Sequence, residues 1–212
     1  MTEFIHLRVK SSYSLLQSAL KIEQITERCK KLNMPAVALT DHDNLFAMLE
    51  FSMAASKAGI QPIHGTIITI EDQGEYGEIL LLAKNQTGYH NLLKLVSHIY
   101  TNPDIKNNHH ILFSTLEKYQ DGLILLSGYT EGLIGKALLE NKEGQAKLYI
   151  ERFYEIFGDR FYLEIMRHKL ATEQKIEQQY IELASKYQIP LVATNNILFE
   201  DIKMHEAHDV LL

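Results

Sequence analysis

The sequence predicts an α/β fold whose strands close into a barrel-like sheet, with a doubly wound open sheet as the alternative. Three observations carry this. Short apolar runs alternate with longer segments of helical period along the whole chain. Most of the runs are nearly continuous in apolar residues, as in strands covered on both faces. Proline stands between a helical segment and the next strand at Pro35 and Pro190, where it stops a helix without disturbing a ladder.

In chain order, the predicted strands are "EFIHLRV", "AVALT", "TIITI", "EILLLA", "LILLS", "FYLEIM" and "LVATN". The first alternates, which sends His6, Arg8 and Lys10 to one face and Leu7 and Val9 to the other. Between the strands lie "KIEQITERCKKLN", "NLFAMLEFSMAASKAG", "GYHNLLKLVSHIY", "STLEKY", "EGLIGKALLENK", "GQAKLYIERFYEIFG" and "TEQKIEQQYIELASKYQ". Each places apolar residues three or four apart: Ile22, Ile25 and Cys29 share one helical face, and Ile176, Tyr180 and Leu183 share another. The loop "TNPDIKNNHH" is polar and expected to be mobile. No linker or repeat divides the chain, so residues 1–212 are expected to form a single domain.

Composition bounds the function. With 212 residues, 46% of them hydrophobic, the chain can bury a sizeable core. The 27 acidic against 21 basic residues give a net charge of −6, which disfavours broad adhesion to nucleic-acid backbone or anionic membrane. Cys29 is the single cysteine, so no intramolecular disulfide forms. No signal peptide or long apolar span is visible, and a cytoplasmic protein is expected.

In such a fold the chemistry gathers where strands end. Those positions are Arg8 and Lys10, "TDHDN", Gly65 to Ile67, "LSGY", "MRH" and "TNN". "TDHDN" is the richest, since Asp41, His42 and Asp43 offer two carboxylates and an imidazole, all acceptable metal ligands. Asp43 is also well placed to cap a helix beginning near Asn44, the use expected of it here. Arg8 and Lys10 are either site residues or solvated charges at a sheet edge. His64, His168, His205 and His208 each read as structural histidines, and His109 and His110 fall in the polar loop.

The stretches "HLRVKSSYSLLQSA", "MPAVALTDHDNLFAMLEF", "AGIQPIHGTIITI", "LLLAKNQTGYHNLLKL", "DGLILLSGYTEGLIGKAL", "FYLEIMRH", "IPLVATNNILF" and "HEAHDVLL" resemble, in order and from end to end, the polymerase and histidinol phosphatase (PHP) domain that begins the alpha subunit of bacterial DNA polymerase III. The resemblance implies a distorted (β/α)7 TIM-like barrel. It also implies a longer polymerase chain, of which these residues are a fragment whose end begins the connection onward.

Active members of that family carry a metal-binding signature of nine side chains. Here Arg8 and Lys10 stand where the family has two histidines, Gln17 where it has the aspartate of "LLDG", and His42 at a ligand histidine. Ile67 takes the place of a glutamate, Glu78 of a histidine and Tyr129 of the cysteine in "LSGC", while Asn196 and Leu198 replace an aspartate and a histidine. By this alignment only His42 is unchanged. A divalent ion needs neutral imidazoles or carboxylates, whereas Arg8 and Lys10 repel a cation and Ile67 and Leu198 have no donor electron pair.

The resemblance therefore implies no catalytic residue, metal or cofactor in this domain, with Mg expected only in the parent polymerase. The implied role is structural support and docking of the proofreading exonuclease subunit. Other polymerase III holoenzyme subunits and DNA are met through the parent chain, and no membrane is involved. The competing reading is a metal-dependent phosphoesterase or intrinsic 3'-5' proofreading nuclease using His42, Asp41, Glu78 and His168. A free-standing small-molecule phosphatase is a third class, which the polymerase-branch resemblance weakens. A last expectation is electrostatic: Lys10 or Arg8 should neutralise Asp41 or Glu78 in place of an ion.

Overall fold

A computed structural model describes residues 4–101, 109–204 and 208–210. The chain divides into two units, one formed by residues 1–66 with 195–212 and the other by residues 67–194. His205 and most of the polar loop, 102–108, lie outside the described residues.

The first unit contains α1 (Ile22–Lys31), β1 (Ala36–His42), α2 (Met48–Ala58) and the first half of β2 (Gln61–Asp72). The predicted face of Ile22, Ile25 and Cys29 is buried, and it packs in one cluster with Val37, Leu39 and Phe51. Helix α1 begins with Gln24 Oε1 accepting the Lys21 amide at 2.9 Å. Its last turn carries Arg28, Lys30 and Lys31, which suit the negative end of the helix dipole. Helix α2 stops at Gly59, whose φ of 77° is open to glycine at little cost.

The expected first strand is the main departure. Residues 6–10 run extended, yet only Val9 forms a bridge, parallel to Ile197. On the β1 side, Ala38 donates to His6 O at 2.9 Å and Thr40 to Val9 O at 2.8 Å. Three residue steps on one side thus face two on the other. The segment carries one extra residue, as in a bulge, so the ladder slips out of register and the strict alternation is lost. Asp43 departs too: α2 begins four residues later than expected, at Met48, with no side-chain cap.

In the second unit β2 turns into β3 (Glu75–Ala83) through Gln73 and Gly74, both at positive φ, the signature of a two-residue hairpin. Then come α3 (Gln86–Thr101), β4 (Ile111–Leu112), α4 (Phe113–Lys118), β5 (Leu123–Leu126), α5 (Leu133–Leu139), α6 (Glu143–Phe157), β6 (Phe161–Ile165), α7 (Ala171–Tyr187) and β7 (Leu191–Ala193). Within this unit the strand order is β2-β3-β5-β6-β7, with β4 parallel to β2. The β5–β6 and β6–β7 pairs are parallel and β3–β5 is antiparallel, so the βα repeat is interrupted where two strands follow each other without a helix.

Phe113, Phe153 and Phe161 stack in sequence at 5.2 and 5.6 Å between centroids. The Arg152 guanidinium lies 3.7 Å from the Phe113 ring centre and pairs with Asp72. Arg160 donates to the carbonyls of Gln120 at 2.8 Å and Leu123 at 2.7 Å, satisfying the entrance to β5. Helix α3 approaches the turn before β5 through two glycines, Gly88 and Gly122, the latter at φ 71°.

A Cβ built on Gly88 would stand 1.9 Å from the Gly122 carbonyl oxygen, a backbone atom that cannot swing aside. Alanine gains about 1 kcal/mol of helix propensity over glycine, but forcing the two backbones apart costs more. Gly88→Ala is expected to lose a net ~1–3 kcal/mol, read as a lower urea midpoint for unfolding. An unchanged or raised midpoint would show that the backbones separate freely.

Candidate functional site

In the first unit the candidate residues gather around one buried carboxylate. Strand β1 ends at "TDH", and the pleat that buries Asp41 turns it toward the loop of residues 11–18. Asp41 Oδ1 accepts the Ser11 amide at 2.6 Å and Ser14 Oγ at 2.6 Å, while Oδ2 accepts Ser11 Oγ at 2.7 Å. Ser14 Oγ in turn accepts the His42 amide at 3.1 Å, and Ser11 Oγ accepts the Tyr13 amide at 3.2 Å. Thr66 Oγ1 donates to the Asp41 carbonyl at 2.7 Å. These are charge-assisted bonds to neutral donors, which hold a buried anion in its charged form without a cation.

Arg8 and Lys10 are 2% and 6% exposed, which removes the solvated-edge reading. The neutralisation expected for Asp41 is corrected, because hydroxyls and an amide bind this carboxylate. Lys10 Nζ donates to Gln17 Oε1 at 2.7 Å instead. Gln17 is tied a second time, its carbonyl accepting His208 Nε2 at 2.9 Å. Ser18 Oγ bonds the carbonyls of Lys10 at 2.7 Å and Leu198 at 2.9 Å, so Leu198 enters through its backbone. Asn196 keeps a buried Oδ1 that accepts no bond.

His42 Nδ1 lies 3.0 Å from Asp43 Oδ2, and Asp43 sits at φ 56°. The turn beyond is shaped by Asn44, which accepts the Phe46 amide at 3.2 Å and donates to the carbonyls of Tyr13 and His42. Asn44 thus does the local work expected of Asp43. Its Asx geometry leaves Asp43 facing the imidazole rather than the α2 amides.

In the second unit, Ile67 is fully buried, Glu78 is half-buried on β3, and Tyr129 is fully buried. Tyr129 follows Gly128 in a turn where both have positive φ. Its ring meets Tyr180 edge-on at 5.2 Å, and its hydroxyl donates to the Glu173 carbonyl at 3.4 Å. His168 Nδ1 donates to Glu173 Oε1 at 2.9 Å, an N-terminal arrangement for α7 in which Glu173 also accepts the Leu170 amide.

Glu164 is the residue that sequence reasoning passed over. It is fully buried on β6, accepts Thr194 Oγ1 at 2.6 Å and the Gly128 amide at 3.2 Å, and its own amide donates to Ser127 Oγ at 2.9 Å. A lone acid inside the apolar run "FYLEIM" was the available signal. Ser11 and Ser14 were missed as well, although the cluster in "KSSYS" follows directly on the basic pair.

A hydrolytic metal centre fits these residues poorly. Both oxygens of Asp41 are taken, His42 Nδ1 is turned to Asp43, and two cationic side chains are buried in the same unit. Among the described residues no group of three or more His, Cys, Asp or Glu side chains is placed to hold an ion. No helix among them is long and apolar enough to cross a membrane.

A family model described as the PHP domain matches residues 6–168. The DNA polymerase III subunit alpha of Rickettsia bellii is 57% identical over 212 residues, and that of Caulobacter vibrioides is 37% identical over 217. The matches take in 100% and 99% of this chain but 18% and 19% of those proteins, so the chain spans about a fifth of the length of these curated relatives. Among solved structures, a putative metal-dependent phosphoesterase from Bifidobacterium adolescentis superposes with a TM-score of 0.65 at 12% identity, covering 94% of this chain and 89% of that one. An amidohydrolase from Chromobacterium violaceum, solved with sulfate and no metal, gives 0.67 at 13%, covering 98% and 96%. At such identity the likeness speaks for the fold, and it agrees with the distorted barrel class expected from the sequence.

Two expectations follow from this geometry. Asp41→Ala removes one acceptor from three donors and is expected to cost ~3 kcal/mol, against about 1 kcal/mol for Ser14→Ala. Equal costs in urea denaturation would mean that the carboxylate is not the hub. The second concerns alkali. Burial first, then the charges of Glu177 and Glu173, push the Tyr129 hydroxyl up from 10.0 to about 12, against the pull of Arg167. The folded chain then keeps a proton that the unfolded chain releases. The associated stability is complete below pH 10.0 and falls as pH rises toward about 12. Tyr129→Phe should flatten that decline in urea midpoints followed through this range, and an unchanged slope would discount Tyr129.

Proposed function

The chain belongs to the PHP domain family, and from that membership we propose that it is the PHP region of a bacterial DNA polymerase III alpha subunit in which the metal site has been given up. Whole-chain identity to alpha subunits supports the first half. The second half is carried by one observation: the Asp41 carboxylate is saturated by Ser11 and Ser14, in a unit that also buries Arg8 and Lys10 where active members of the family hold histidines. A carboxylate with both oxygens engaged by short bonds gives up those bonds to bind an ion, and the buried cations oppose the ion's charge.

In this reading the region contributes no chemistry of its own. DNA synthesis, with its Mg, resides in the rest of the polymerase, and the PHP region serves as a structural element and as the docking platform for the proofreading exonuclease subunit. The phosphoesterase or nuclease reading asks Asp41, His42, Glu78 and His168 to act together. Asp41 is saturated, and His168 is committed to Glu173 at the start of α7.

The test is metal analysis of the full-length alpha subunit purified without chelator, with phosphatase and exonuclease assays and a pull-down against the purified exonuclease subunit. Expected are less than stoichiometric Zn, Mn or Fe after dialysis, no hydrolysis of phosphomonoesters or DNA ends, and co-purification of the exonuclease. Stoichiometric metal that is lost in His42→Ala would overturn the abandoned-site reading. Absence of association would remove the docking role.

A further inference from the structure

An apolar surface on the first unit is not accounted for by an abandoned metal site. Leu15 and Leu16 in the loop after Lys10 are 79% and 68% exposed, Phe46 in the turn before α2 is 69%, and Leu49 and Met53, one helical turn apart on α2, are 75% and 67%. The two segments are fastened together. Tyr13 Oη donates to Glu50 Oε2 at 3.0 Å, and Asn44, which shapes the turn holding Phe46, donates to the Tyr13 carbonyl at 3.0 Å. Five large side chains therefore share one region of surface, and its neighbouring acid, Glu50, is already bonded. Scattered apolar residues are ordinary on a protein surface, but a contiguous group of this kind marks an interface.

The patch is also held rigid. Residues 11, 14 and 18 are bonded to Asp41, Lys10 and Leu198, and Leu16 sits at φ 59°, a left-handed conformation costly for leucine and kept only where neighbours enforce it. The loop presents Leu15 and Leu16 outward in a fixed pose. A surface this apolar and poor in free charge is of the permanent kind, like a core cut in two, rather than that of a transient encounter.

On the reading that this is the PHP region of an alpha subunit, we infer that Leu15, Leu16, Phe46, Leu49 and Met53 form the face against which a later portion of the same polypeptide packs. The relatives' lengths support that occupant, because about four-fifths of each lies outside the region matched here. The permanence expected of so apolar a face favours a segment of the same chain over a separate subunit or a second copy.

The experiment uses the full-length alpha subunit carrying Leu15→Cys, Leu49→Cys or, as an exposed reference on the same helix, Lys57→Cys. Maleimide labelling of each position is followed by peptide mass spectrometry in the isolated subunit. Positions 15 and 49 should label at least tenfold more slowly than position 57, at a rate unchanged by dilution. Labelling of all three at one rate overturns the inference, as does protection that appears only on concentration, the mark of a second copy, or only on adding another subunit. The underlying reading is checked separately, by DNA synthesis with the same preparation. An inactive full-length protein would count against that reading, whereas equal labelling in an active polymerase would remove only the surface assignment.

Discussion

The first unit is organised by one buried negative charge. A carboxylate removed from water costs several kcal/mol unless its oxygens are met. In many proteins a cation meets that demand; here two serine hydroxyls and an amide do so, all from residues 11–14. The demand of Asp41 thus fixes where the chain travels after the first extended segment. Once Ser11 and Ser14 are drawn in, Gln17 comes within reach of Lys10, Ser18 bonds the Lys10 and Leu198 carbonyls, and the intervening leucines face outward.

Neutral hydrogen bonding has another chemical effect. A metal ion makes its ligands interchangeable with water and substrate, since it can keep an open coordination position. Hydroxyls fitted to a carboxylate leave no such position. The same strand end that would present reactive oxygens to a ligand keeps them for its own loop. Lys10 and Gln17, a cation and a neutral amide, make a bond that needs no third participant.

Most of the elements were legible because periodicity is a property of the residues alone. The faces of Ile22, Ile25 and Cys29 and of Ile176, Tyr180 and Leu183 are buried as their spacing requires. What could not be read depends on partners distant in sequence. The extra residue between His6 and Val9 spoils a ladder only because β1 pairs beside it, and β4 is two residues long, too short for any period to register. At the site, the family signature pointed to the positions that matter, but not to their partners: Lys10 meets Gln17 rather than Asp41. Asn44 took the role expected of Asp43 because an Asx turn, not a helix, begins there. Glu164 escaped notice because burial of a lone acid is settled by Thr194 and Gly128, thirty residues or more away.

The bond from His208 to the Gln17 carbonyl joins residues 191 positions apart, and the Val9–Ile197 bridge closes a ring of similar length. Closing a loop of that size costs about 5 kcal/mol of chain entropy, plus a constant. The second unit, continuous from 67 to 194, closes only shorter loops. On a ribosome its strands and helices are complete before Asn195 is made, while the first unit waits for residues 195–208 to return to the segment that opened the chain. The order of assembly is therefore written into the connectivity. The middle of the sequence forms the early folding nucleus, and the oldest residues, those carrying Lys10 and Asp41, acquire their full set of contacts last.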